Sequence, residues 1–249
     1  MNKKYSKIAL IIPVVIIAYL YLAHAYIYRR IGTAHLRATD DRHTYILGNM
    51  ATSSQKIIYT SLGDSLTAGV GTDKYEESYP YLLAQDLTVT GKVIVHKNFS
   101  YPGARTADLV RDLLEGAIAE QPDVVTILIG TNDVHGLVSV VDFQKNYEHI
   151  LKELTTRTKA KVYVISIPYI GSRSLILPPY SNYFNSKINE FNEVIHALAK
   201  TYDLKYIDLT TPTREILKEN GAHYADDLFH PSAIGYASWA KIIYDNINQ

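Results

Sequence analysis

From residue 55 onward the chain alternates between short β-branched or aromatic runs and longer amphipathic segments, and few folds accept that order. The runs at 56–62, 92–98, 123–129, 161–167 and 205–208 read as strands. Between them, Ala107, Val110, Leu114, Ala117 and Ile118 share one helical stripe. Phe143, Tyr147, Ile150, Leu151 and Leu154 share another, with Asp142 as its expected N-cap. Strands that take turns with helices must lie parallel, with helices covering both sheet faces. The expectation is an α/β fold over residues 55–249: a flavodoxin-like, three-layer α/β/α sandwich around a five-stranded parallel sheet.

The amino terminus obeys a different rule. Lys3, Lys4 and Lys7 precede an uncharged run over residues 8–28 that Arg29-Arg30 closes. About 20 apolar residues cross a bilayer as a helix, and Tyr19, Tyr21, Tyr26 and Tyr28 suit its interface. Ala23-His24-Ala25 has the A-x-A form of a signal-peptide cleavage site, but the apolar run continues past it, which favours an uncleaved anchor. Residues 1–30 are therefore expected to be a single transmembrane helix, with the main domain outside the cytoplasm. Residues 31–54, with Asp40-Asp41-Arg42-His43 and Ala51-Thr52-Ser53-Ser54, read as a linker.

Twenty-five lysines and arginines balance 25 aspartates and glutamates, so no global charge points to nucleic acid. The absence of cysteine excludes disulfides, a thiolate nucleophile and cysteine-ligated zinc. The 21 tyrosines are scattered without a visible pattern.

The polar residues that interrupt this plan gather beyond strand carboxyl ends. The first strand runs into Gly63-Asp64-Ser65-Leu66, with a helix expected from Leu66 whose amides would face the serine. The second leads to Tyr101-Pro102-Gly103-Ala104-Arg105, and the third to Gly130-Thr131-Asn132-Asp133. Asp226-Asp227-Leu228-Phe229-His230 precedes the last helix, whose apolar face is expected to carry Ile234, Ala237, Ala240, Ile243, Tyr244 and Ile247. Open α/β sheets bind ligands at this rim. A serine, a glycine amide, an asparagine amide and an Asp/His pair are the components of acyl transfer.

These four blocks, in this order, resemble the SGNH, or GDSL-type, serine hydrolases over essentially all of residues 55–249. Residues 63–69 are most similar to the lysophospholipase and thioesterase-like branch. The resemblance implies Ser65 as nucleophile, His230 as base and Asp227 as its partner, a choice over Asp226 that spacing alone would not make. It implies an oxyanion hole from the Ser65 amide, Gly103 and Asn132, with no metal or organic cofactor. Asp64, Asp133 and Arg105 are expected to brace loops. The apolar connection over 169–184, with Leu175, Ile176 and Leu177, is a candidate acyl-binding lid, and residues 136–141 a second wall. The expected substrate is a carboxylic ester or thioester, from a lysophospholipid, another acyl ester or an O-acetylated cell-wall glycan.

Two other classes fit parts of this pattern. His223, Asp226, Asp227 and His230 could ligate zinc or manganese in a metal-dependent hydrolase. A serine- and glycine-rich loop after a first strand could instead cradle phosphate in a binding module, although no phosphate-binding fingerprint is present. An α/β-hydrolase reading fails at Thr67, where G-x-S-x-G requires glycine.

Overall fold

The computed structural model describes residues 3–34, 44–49, 55–88, 91–169, 171–219 and 221–248. Its elements in order are α1 (Lys3–Ile31), β1 (Thr44–Leu47), β2 (Lys56–Gly63), α2 (Tyr79–Leu87), β3 (Val93–Ser100), α3 (Thr106–Asp108), α4 (Leu114–Ala119), β4 (Val124–Leu128), α5 (Thr131–His135), α6 (Val140–Arg157), β5 (Lys161–Ile165), α7 (Tyr180–Thr201), β6 (Lys205–Ile207), α8 (Thr210–Glu219) and α9 (Ala233–Ile247).

The five expected strands are all present and parallel, and the sheet order is β1-β3-β2-β4-β5-β6. The sixth strand is the correction: β1 pairs antiparallel with β3, Thr44 opposite Lys97 through Leu47 opposite Ile94. It arises inside the segment read as linker. Asp40-Asp41-Arg42-His43 and Ala51-Thr52-Ser53-Ser54 lie outside the described residues. Because β3 and β4 flank β2 on opposite sides, the chain reverses its direction of winding at β2, and a crevice opens beyond Gly63.

Alternation along each strand feeds two cores. Leu62, Val125, Ile127 and Val164 pack against α4, α6 and α7 on one face, while Tyr59, Leu128 and Ile165 pack against α2 and α9 on the other. The α6 stripe is buried as expected, but Ser139 caps the helix by accepting from the Asp142 amide. A serine oxygen three residues upstream reaches that amide, so the helix begins earlier. Between α3 and α4 a π-helical turn over Leu109–Leu113 adds a residue to the repeat. The buried set therefore becomes Leu109, Leu113, Leu114, Ala117 and Ile118, leaving Ala107 exposed. In α9, Tyr236, Trp239, Ala240 and Ile243 face inward, whereas Ile234 and Ala237 are exposed.

Tyrosines acquire a role that sequence did not reveal. Tyr45 stacks on Tyr75, and Tyr59 on His96, whose Nε2 meets the Tyr75 hydroxyl at 2.8 Å. Burial drives the His96 pKa down to about 3, so this ring is a neutral structural post. The hydroxyls of Tyr79, Tyr224 and Tyr236 reach Thr67, the Gly171 carbonyl and the Val70 carbonyl, pinning loops around the crevice.

α1 is long and apolar enough to cross a membrane, yet its last three turns lie against the domain. Tyr19, Leu20, Ala23, His24, Ile27 and Arg30 form an i, i+4 stripe. Tyr19 donates to the Pro178 carbonyl, Tyr180 to the Leu20 carbonyl and Arg30 to the Asp226 carbonyl. Ile27 is 2% exposed and belongs to the same core as Leu175, Ile176 and Phe229.

Candidate active site

The crevice begins where β2 ends. A Cβ on Gly63 would lie 2.0 Å from Thr67 Oγ1 and 2.4 Å from the Leu128 carbonyl oxygen, so only hydrogen fits. No helix follows, contrary to expectation. Residues 65–70 form successive turns in which the Thr67 and Ala68 amides donate to the Asp64 carbonyl and the Val70 amide to that of Ser65. Gly69, at φ +80°, ends this run in a conformation a helix cannot continue.

On the facing loop, the Ala225 amide donates to the His230 carbonyl and a Tyr224–Pro231 bridge closes the base. Leu228 adopts φ +62° inside it. That turn directs Asp227 Oδ1 onto the amides of Phe229 and His230, at 2.9 and 3.0 Å. Oδ2 accepts from His230 Nδ1 at 2.5 Å, which leaves Nε2 as the acceptor for the Ser65 hydroxyl at 3.0 Å. Burial alone would raise the Asp227 pKa, but the His230 ring and the two amides outweigh it and hold the carboxyl below its ordinary value. All three side chains are buried. Gly71, which the sequence reading passed over, permits the approach of the two loops. At φ +102°, its Cβ would fall 2.4 Å from the Pro231 carbonyl oxygen and 2.9 Å from His230 Cβ.

Gly103 lies on the loop after β3, and Asn132 in the first turn of α5, just beyond β4. Asn132 Nδ2 donates to the Ala104 carbonyl at 3.0 Å and makes a longer, 3.4 Å contact with Asp64 Oδ2. Gly103 is exposed at φ +85°, with open space where a side chain would stand. The expected braces are in place: Asp133 takes the Thr106 amide and hydroxyl, Arg105 lies against Gly136, and Asp64 Oδ1 accepts the Leu66 amide. Burial lifts Asp64 to about 7 and Asp133 to about 6.

Other expectations need revision. Leu175 and Ile176 are core residues, so the lid cannot offer them to a substrate. Among the described residues, the segments that follow β4 and β5 expose Leu137 (70%), Val141 (75%) and Tyr183 (41%). The His223/Asp226/Asp227/His230 set does not converge. Asp226 is exposed, Asp227 and His230 engage each other, and no group of three metal-ligating side chains occurs among the described residues. His135 is an addition. One turn beyond Asn132, its ring packs on Phe184 and Phe229, its Nε2 is buried without a hydrogen-bond partner, and burial lowers its pKa to about 4.

A doubly wound sheet with a serine, a histidine and an aspartate in line at its switch point has components suited to acyl transfer, and comparison with known proteins points to the ester hydrolases. A model of the GDSL-like lipase/acylhydrolase family matches residues 61–238. The chain belongs to this family and is a carboxylic ester hydrolase. It is 28% identical over 205 residues to a spore germination lipase, LipC, of Bacillus licheniformis, covering 74% of this chain and 92% of that protein. An acetylxylan esterase of Xylanibacter ruminicola is 27% identical over 84% of this chain, which spans 47% of that relative's length. Among solved structures, a lipase/acylhydrolase from Enterococcus faecalis superposes with a TM-score of 0.63 at 26% identity, covering 77% of this chain and 95% of the other. An acetylxylan esterase from Geobacillus stearothermophilus has the same fold, with a TM-score of 0.62 at 20% identity over 79% of this chain and 95% of its own.

Proposed function

We propose that this protein is a serine esterase that hydrolyses acyl esters or thioesters through an acyl-Ser65 intermediate. The observation that carries the reading is the unbroken line from Ser65 Oγ through His230 to Asp227, at 3.0 and 2.5 Å. His230 Nε2 removes the hydroxyl proton as Oγ attacks the acyl carbon, and Asp227 holds the ring in the required tautomer while it carries positive charge. Collapse of the tetrahedral intermediate expels the alcohol or thiol, which takes that proton from Nε2. Water then enters, gives its proton to Nε2, attacks the acyl carbon and releases the acid and a restored Ser65.

The amides of Ser65 and Gly103 and one hydrogen of Asn132 Nδ2 stabilise the oxyanion. Glycine at 103 leaves its amide unobstructed, and the weak 3.4 Å contact to Asp64 is the one Asn132 can release. The substrate is an acyl lipid such as a lysophospholipid, supported by the apolar α1 and by the lipase relative. A second reading, O-acetyl ester hydrolysis on a cell-wall glycan, is favoured by the acetylxylan esterase relatives. In either case residues 1–30 anchor the chain, and the domain, which includes β1 from Thr44, works outside the cytoplasm.

The test uses the full chain in mild detergent on p-nitrophenyl esters from acetate to palmitate. The expected result is turnover that resists chelators and falls at least ~10³-fold in Ser65→Ala. Equal turnover by Ser65→Ala would reject the mechanism. Preference for long chains selects the lipid reading, and for acetate the glycan reading.

A further inference from the structure

We propose that the rim formed by residues 137 and 178–184 is a membrane-docking surface, seated in the headgroup layer of the bilayer that receives α1. This rests on the esterase reading and its anchor, and adds that the ester is taken from an amphiphile lying in that bilayer.

The argument starts from a conflict of lengths. The apolar helix Ile11–Ile31 has 21 residues, about 32 Å, a match to a hydrocarbon core of about 30 Å. The docked stripe, however, begins at Tyr19, in the middle of that span. Residues 11–18 are exposed, and the whole of α1 ahead of the stripe, from Lys3 on, makes only about 24 Å of helix. While docked, α1 therefore cannot cross the bilayer and leave the domain standing clear in water. Insertion draws the domain down until the loops beside Tyr19 and Leu20 meet the lipid.

Those loops are suited to the position. Pro178 and Tyr180 touch α1 directly, and next to them Pro179 and Tyr183 are exposed. Phe184 packs on His135, two residues before the exposed Leu137. Proline, leucine and tyrosine there tolerate a headgroup boundary, and tyrosine prefers it. Arg30 binds the carbonyl of Asp226, one residue from Asp227, so the helix fixes the height of the catalytic loop itself. Arg30 stands 11 residues, about 16 Å of helix, beyond Tyr19, so an amphiphile drawn up along the rim would bring its ester to Ser65 while its other end stays in the bilayer.

The chain has no cysteine, which makes single-site labelling direct. Tyr183→Cys, Leu137→Cys and, as control at the opposite end of the sheet, Lys159→Cys would each be labelled with an environment-sensitive fluorophore. The full chains would be reconstituted in phosphatidylethanolamine/phosphatidylglycerol nanodiscs containing nitroxide-labelled lipid. The expected result is quenching at 183 and 137 at least twofold above 159, stronger with a nitroxide near the headgroup than with one at the chain end. Quenching at 183 and 137 no greater than at 159 would overturn the proposal, as would a chain recovered from membranes with Tyr26 as its first residue. p-Nitrophenyl acetate turnover by the unsubstituted chain in detergent reports the Ser65 chemistry separately, so a rim found in water leaves the esterase reading standing.

Discussion

Asp64 sits next to the nucleophile and holds the Leu66 amide on one oxygen while the other faces Asn132. Burial raises its pKa from 3.8 to about 7, so across that window the folded chain retains a proton that the unfolded chain releases. Stability must then fall as pH rises through the window. The full shift corresponds to about 4 kcal/mol as an upper bound. Asp64→Asn is expected to flatten the dependence, leaving the part that Asp133 contributes, in urea denaturation in detergent at pH 4, 5.5 and 7.5. A slope unchanged from the parent would show that Asp64 is ionised in the fold at neutral pH. At this scale the site was largely legible. Ser65, Gly103, Asn132, Asp227 and His230 each stand beyond a strand end or before the last helix, where polar residues interrupt an apolar pattern. Gly71 and His135 were not legible, because what marks them is the approach of another loop or ring, and no local pattern records it.

The loop from β2 and the loop before α9 meet through a gap the width of one hydrogen atom at Gly71. Gly71→Ala would force its methyl against the Pro231 carbonyl and impose a strained φ. The expected cost is about 1–3 kcal/mol of stability, with kcat on acetate esters reduced at least tenfold as His230 is pushed from Ser65, and KM little changed. Thermal unfolding and steady-state kinetics measure the two effects. A variant with parental kcat would mean that the loops can separate without harm. Elements also show where periodicity misleads. The π turn over Leu109–Leu113 shifts the buried phase, so a 3.6-residue count selects Ala107 where Leu109 is buried. The α9 face centres on Tyr236 and Trp239 because large aromatics fill the space over the sheet, and the expected aliphatic positions 234 and 237 face water.

For the whole molecule, the sheet needs residues that precede its first parallel strand. β1 is four residues long and only Leu47 in it is buried, so it leaves too little alternation to stand out in sequence. Yet it covers the β3 edge, and Tyr45 stacks on Tyr75 against the buried His96 post. A chain beginning at Gln55 is therefore expected to be less stable than one beginning at Thr44 by about 2 kcal/mol, a few degrees in thermal midpoint. It should also aggregate more readily through the bared edge. Equal midpoints would make β1 an ornament of the fold. The three-layer plan itself was readable because β-branched and aromatic runs alternate with amphipathic stripes along the chain, even though β3 carries His96, Lys97 and Asn98.

Asn132 reaches the loops of two other strands, through the Ala104 carbonyl and the Asp64 carboxyl group. Three segments that are distant in sequence are thus knotted at one amide, and none can be exchanged alone. A loop graft that replaced residues 101–106 would have to bring a carbonyl to the same point or lose the knot. Redesign of acyl preference accordingly has its free ground at Leu137, Val141 and Tyr183, whose side chains are exposed in the segments that follow β4 and β5.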